Sequence, residues 1–290
     1  MQMSARIEAS IESALDLHLS DACPPRLAEA VRYAVVPGGA RIRPKLSHAV
    51  AAACGADDAA CVDAAAVAIE LLHCASLVHD DLPCFDNADL RRGKPSVHVA
   101  FDERLALLCG DELIVMAFEV LAAGAIAKPS RLQVLMRLVG QSVGAPNGII
   151  AGQAYECEPG IDLVAYQKAK TGALFAAATA AGAAAAGQMP DAWHTLGSKL
   201  GQAYQVADDI LDKHGTAEQI GKPAGQDIRN ASPTVMTAWN FDDAVQQLQR
   251  FVSEATDSIP DCTGRLPLQQ LVQAEADNVV RKLRRLRAAA

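Results

Sequence analysis

The chain has 290 residues, of which 51% are apolar but only 4% aromatic, and its formal net charge is −8. That acidic balance excludes a general nucleic-acid binder, which needs a basic face, though a few arginines or bound metal ions can still hold an anionic substrate. An apolar fraction made mostly of Ala, Leu and Val favours helices over sheets, and the length is ample for one buried core.

Taken in chain order, helical periodicity dominates. Ser4 suits the N-cap of a first helix running to about His18, and Pro24-Pro25 suit the first turn of a second running to about Val35. Pro37-Gly38-Gly39 breaks the chain, and a helix resumes near Pro44. Asp57 to Asp80 reads as a long, mostly apolar and therefore central helix. Further helices are predicted over 103–123, 131–143, 147–157, 163–186, 191–212, 242–255 and 266–286, with no strand-like alternation and no hairpin signal. Charged, Gly/Pro-rich loops are expected over 86–95 and 214–233.

None of the eight cysteines forms a C-x-x-C pair, and most lie in Ala/Leu-rich segments. They read as small buried hydrophobes in a reducing compartment. The N-terminal stretch has no signal-peptide apolar region. The only membrane-like segment noted, Gly172 to Gly187, is too short and Ala-rich to span a bilayer, which takes roughly 20 strongly apolar residues. A cytoplasmic protein without a membrane span is the expectation.

Two acidic clusters carry the chemistry. The first is Asp80-Asp81-x-x-x-x-Asp86 and the second Asp208-Asp209-x-x-Asp212. On a helix Asp208 and Asp212 share a face, and Gln205 lies one turn before Asp209. Clustered carboxylates repel one another, so a solvated acidic face is the bland reading. Both clusters, however, end strongly apolar helices, and basic residues follow each. An EF-hand is excluded, because the loop glycine and closing glutamate are missing. Carboxylates facing each other across a helical bundle suit Mg²⁺, which fills its shell with water and substrate phosphate. Arg91, Arg92, Lys170 and Lys222 would then neutralise a diphosphate from the other side.

HDDLPCFDNADLRRGKPSVH and ADDILD resemble the two aspartate-rich motifs of trans-isoprenyl diphosphate synthases. PGGARIRP, ELLHCASLVHDDLP, GDEL, GIIAGQAYE, KTGALF, YQVADDILD and GKPAGQD follow in the family's order along nearly the whole chain. The resemblance implies an all-α, single-domain bundle around a deep cavity, a homodimer, and head-to-tail condensation of isopentenyl diphosphate with an allylic diphosphate, assisted by three Mg²⁺. By motif position Asp80, Asp86 and Asp208 would ligate metal, with Asp81, Asp209 and Asp212 in support. Arg91, Lys170 and Lys222 would hold the allylic diphosphate, and Thr171 and Gln205 would flank the ionising carbon. Arg43, His73 and Arg92 would bind isopentenyl diphosphate, Gln153 would touch the first metal site, and Asp227 a metal-bound water. The bland readings are a core histidine at His73, a snorkelling Lys170, and Arg91 and Arg92 paired with Asp86 and Asp89.

Two cations common in the family are missing. Ala40 and Ser232 stand where it usually has lysine, and Arg41 is the one neighbour that offers a substitute for the first. Glu156 replaces a usual aspartate. In the family the cavity floor lies about 6 to 7.5 Å before the first aspartate, here at Ala75 and Ser76. A small residue there resembles bacterial geranylgeranyl diphosphate synthases and implies a C20 product, with Phe118 or Met116 as candidate deeper stops and a C15 product as the alternative. A terpene cyclase is disfavoured by ADDILD, and a membrane prenyltransferase by the expected lack of spans. A non-catalytic subunit that modulates an active partner stays open because of Ala40 and Ser232.

Overall fold

Apolar residues at helical spacing run through nearly the whole chain, and helices form wherever no proline or glycine break intervenes. The computed structural model describes residues 2–20, 22–160, 162–214 and 239–289. Helices α1 (Gln2–His18), α2 (Pro25–Val35) and α3 (Ile42–Ala53) are followed by α4 (Ala59–Asp80). Asp58 caps α4, its carboxylate accepting from the Cys61 amide at 3.0 Å. Next come the short α5 (Val97–Ala100), then α6 (Glu103–Gly124), α7 (Pro129–Val143), α8 (Ile149–Ala154) and α9 (Leu163–Gln167). Then follow α10 (Ala173–Ala185), α11 (His194–His214), α12 (Phe241–Asp257) and α13 (Arg265–Ala289).

Helix α4 is the axis, packed against α3, α6 and α10. Its residues are buried almost all round, as a central helix requires. It is also long and apolar enough to cross a membrane by length and composition, which the reading of Gly172 to Gly187 overlooked, but 78% of its most apolar window is buried inside the bundle. One apolar cluster joins α1, α2, α4, α6, α7 and α10, and a second joins α3, α10, α11, α12 and α13. The Ala-rich α10 belongs to both. A Cβ at Gly182 would sit 2.3 Å from the Ser47 carbonyl oxygen, so small residues bring the α10 and α3 backbones into contact.

Several expectations need correction. Ser4 lies inside the first turn rather than capping it. Two-residue strands, Leu90–Arg91 and Lys94–Pro95, pair antiparallel where no hairpin was expected. Their turn residues Arg92 (φ 55) and Gly93 (φ 76) both lie in the left-handed region that a tight hairpin turn requires. The helix predicted over 163–186 is interrupted at Lys168–Gly172, which is wound as a π-helix. Of the cysteines, all eight are free thiols, but Cys84 and Cys157 are exposed rather than buried. Nearly all of the loop read over 214–233 lies outside the described residues.

Arg41 does not stand in for the lysine absent at Ala40. It is buried, its guanidinium donating to Glu70 at 2.7 Å, to Glu8 at 3.0 Å and to the Val35 carbonyl at 2.9 Å. Its φ of 51 is a strained value for arginine, and it ties the break before α3 to α4. Removing Glu70 would leave a buried cation short of its innermost partner. Glu70→Ala is therefore expected to lower unfolding free energy by about 3 kcal/mol in urea titration; a loss under about 0.5 kcal/mol would show that Glu8 and the carbonyl suffice.

Candidate active site

Helices α3, α4, α6, α8, α11 and α13, together with the π-helical turn, surround a cavity of about 850 Å³. Gathered along its wall are Ala40, Arg43, His73, Ala75, Ser76, Asp80, Asp86, Arg91, Arg92, Gln153, Lys170, Thr171, Gln205, Asp208 and Asp212. Asp81 and Asp209 lie behind that wall, each 2% exposed. Lys222, Asp227 and Ser232 lie outside the described residues.

Asp80 ends α4, and Asp86 follows a tight turn whose amide is held by the Asp80 carbonyl at 3.0 Å. Burial and the nearby Asp80 push the Asp86 carboxyl up to about 6. Such repulsion is the cost that a bound cation relieves. Asp80 Oδ1 and Asp212 Oδ1 are buried and accept no hydrogen bond. The first is 3.3 Å from the Lys170 ammonium, a charge contact without hydrogen-bond geometry. An all-carboxylate donor set suits Mg²⁺ rather than zinc. Among the described residues no three His, Cys, Asp or Glu side chains form a ready-made cage. Mg²⁺ needs none, since one or two carboxylates, waters and substrate phosphate complete its shell.

The cations are held in place by residues behind them. Arg91 forms a forked pair with Asp81, its Nε donating at 3.0 and 3.1 Å and its terminal nitrogen closing the fork. Arg91 therefore pairs with Asp81 and not with Asp86 or Asp89. Lys170 donates to Glu156 at 2.6 Å, and Glu156 also accepts from the Tyr166 hydroxyl and from Gln153. Burial works against the Lys170 ammonium, but Asp80, Tyr166 and Glu156 outweigh it and hold its pKa above the usual lysine value. The π-turn aims Lys170 and Thr171 inward, as such turns often do at functional sites. A Cβ at Gly152 would lie 2.4 Å from the Lys170 amide nitrogen, so α8 can approach this turn only with glycine there. Thr171 donates to Gln205 Oε1 at 2.6 Å, and Gln205 in turn donates to Asp209 at 2.7 Å. Buried Asp209 thus fixes the amide orientation of Gln205.

On the other side, Arg43 stacks over the Phe175 ring at 4.4 Å and leaves its Nε without a hydrogen bond. His73 opens to the cavity and is not a core histidine paired to a carbonyl. Burial, with Arg43, Arg92 and Arg91 nearby, holds its pKa well below the usual value, so it is a neutral hydrogen-bonding group at pH 7. Leu72, Ile114, Val143, Ile149 and Leu174 give the cavity its apolar wall. Met116 and Phe118 do not reach it. Met116 is wholly buried in the α4–α6 core, and Phe118 packs against that core. Sequence reasoning missed Tyr204 and Lys282, which also line the cavity. It also read Glu156 as a mild replacement, although a half-buried lysine needs a counter-charge within reach.

The polyprenyl synthetase profile matches residues 24–266. The chain is 51% identical to geranylgeranyl diphosphate synthase of Rhodobacter capsulatus over 280 residues and 50% identical to that of Cereibacter sphaeroides, covering 97% of both chains in each case. Its fold matches the Helicobacter pylori geranyltransferase solved with magnesium and isoprenyl diphosphate, at a TM-score of 0.78 and 28% identity, covering 97% of each chain. With this profile spanning most of its length and such relatives end to end, the chain belongs to the polyprenyl synthetase family.

Proposed function

We propose that the chain is a Mg²⁺-dependent prenyltransferase that condenses isopentenyl diphosphate with allylic diphosphates to geranylgeranyl diphosphate. The observation that carries this reading is one cavity lined by Asp80 and Asp212, each with a buried oxygen that accepts no hydrogen bond, by pinned cations at Arg91 and Lys170, and by apolar side chains. The names of the two half-identical relatives support the C20 product.

Asp80, Asp86 and Asp208 would hold the metal ions, three in all on this reading, with Asp212 in support. Mg²⁺ held there would supply positive charge to stabilise a leaving diphosphate. Arg91, Lys170 and Lys222 grip the same diphosphate, and Asp81 and Glu156 keep two of those cations in position without engaging substrate. The Thr171 and Gln205 oxygens face the cationic carbon, oriented by Asp209. Arg43, Arg92 and His73 bind isopentenyl diphosphate so that its double bond meets that carbon, and Gln153 supports the first metal site. The apolar wall excludes water that would quench the cation. The proton lost at the end goes to the released diphosphate.

The tail descends past Ala75 and Ser76, which are too small to stop it. The bulkier Leu72 lies about 12 Å along α4 from Asp80 and forms the floor with Ile114. On the outer side of α6, Leu107, Leu108 and Val115 are each about half exposed, which supports a homodimer. Eight free thiols suit a reducing cytoplasm.

The test is a product-length assay: pure protein, Mg²⁺, labelled isopentenyl diphosphate, and C5, C10 or C15 starters in turn. A C20 product is expected. A C15 product would keep the reaction and move the floor toward Ala75. No product from any starter would sink the enzymatic reading in favour of a non-catalytic subunit.

A further inference from the structure

Lys170 stands between two carboxylates. Its ammonium donates to Glu156 Oε1 at 2.6 Å and lies 3.3 Å from Asp80 Oδ1 without bonding it. That Asp80 oxygen is buried and accepts no hydrogen bond. Lysine carries a compact charge on a flexible stem, so the ammonium can swing between acceptors this close. If it closed on Asp80, it would occupy an oxygen that the proposed reaction needs for a metal ion. Which carboxylate it keeps depends on how firmly Glu156 is held.

Glu156 lies in the short helical turn Tyr155–Cys157 that follows α8. Its carboxylate accepts from Gln153 at 2.8 Å and from the Tyr166 hydroxyl at 2.7 Å. Gln153 precedes Glu156 on the same stretch of chain, so it travels with it. Tyr166 comes from α9, is only 7% exposed, and shares Glu156 Oε1 with the Lys170 ammonium. It therefore fixes, from a neighbouring element, the one oxygen on which Lys170 is bonded. Tyr166 lines the cavity, yet it gives its hydroxyl to Glu156.

Resting on the reaction proposed above, we infer that Tyr166 is a positioning residue: through Glu156 it holds Lys170 off Asp80 and so keeps the first metal site open to Mg²⁺. Without the hydroxyl, Oε1 loses its fixed partner and the Glu156 carboxylate turns about its own side chain. The backbones cannot absorb that change, since α8 and the π-turn already touch at Gly152. The ammonium then takes Asp80 as its acceptor and competes with the metal ion for it.

The test is Tyr166→Phe, which keeps the ring and removes only the hydroxyl. Calorimetric titration of Mg²⁺ in the presence of inorganic diphosphate is expected to show about tenfold weaker binding, the scale of one hydrogen bond to a charged group. In kinetics, raising Mg²⁺ should make good most of the lost turnover. In the Lys170→Met background, Tyr166→Phe should leave Mg²⁺ binding unchanged, because the competing cation is gone. Unchanged Mg²⁺ binding by Tyr166→Phe alone overturns the inference. So does an equal loss with and without Lys170, which would make Tyr166 a merely structural support, and so does a turnover loss that no Mg²⁺ restores. If the parent chain turns nothing over yet binds Mg²⁺ with diphosphate, the two calorimetric comparisons decide the inference by themselves. A parent chain that takes up no Mg²⁺ with diphosphate overturns both the inference and the metal reading beneath it.

Discussion

Asp80→Asn is expected to lower kcat/KM by about three orders of magnitude, equivalent to about 4 kcal/mol of transition-state stabilisation, without loss of helix. The substitution keeps the shape and removes the charge. Asp80 occupies a position that folding alone would not choose. It ends α4, where the helix dipole disfavours an anion. It has one buried oxygen with no hydrogen bond. It also repels Asp86, whose carboxyl burial and Asp80 together push up to about 6. Removing its charge relieves Asp86 but takes from Lys170 a charge partner at 3.3 Å, so thermal stability should stay nearly level, since Lys170 keeps its 2.6 Å bond to Glu156. Falling activity without falling stability is the signature of a residue retained for its ligand. Asp208→Asn should behave likewise in rate. The check is steady-state kinetics beside circular-dichroism melts, and near-parental turnover in either variant would remove the metal assignment.

What the sequence disclosed follows from what is local. The aspartate clusters were legible because helical spacing alone decides which carboxylates share a face, and α4 was legible as central because it is apolar all round. Arg91, Lys170, Thr171 and Gln205 reached the cavity as the motif resemblance implied. The misses are of two kinds. Backbone departures left no periodic trace: the π-turn at Lys168–Gly172 adds one residue to a helix that otherwise reads unbroken, and the Arg92-Gly93 turn has strands too short to alternate. Long-range partners were the other. Nothing local ties Arg41 to Glu70, or Arg91 to Asp81 rather than to Asp86 and Asp89, which are nearer in sequence. The cavity's inner end was misjudged for the same reason, because Met116 and Phe118 sit on the right helix but on the faces that pack against the core.

Ala75→Phe is expected to shift the main product from C20 to C15. Ala75 lines the cavity about 7.5 Å along α4 from Asp80, roughly two-thirds of the way to Leu72. A phenyl ring there fills the shaft above Leu72 and Ile114, and a growing chain meets it one isoprene unit earlier. Ala75 is only 1% exposed and belongs to the core cluster at the cavity edge, so the ring must push neighbours toward the cavity at an overpacking cost of about 1–3 kcal/mol, while helix propensity changes by only about 0.5 kcal/mol. Turnover with short starters should survive, since none of the charged residues moves. Extension from a C15 starter should nearly cease, which separates a blocked shaft from general damage. The converse change at the inner end, Leu72→Ala, should let chains longer than C20 appear. Chain-length separation of the labelled products reads both variants. A C20 product from Ala75→Phe together with longer chains from Leu72→Ala would mean that the tail runs along another face of α4. Unchanged products from both would put the shaft elsewhere than along α4.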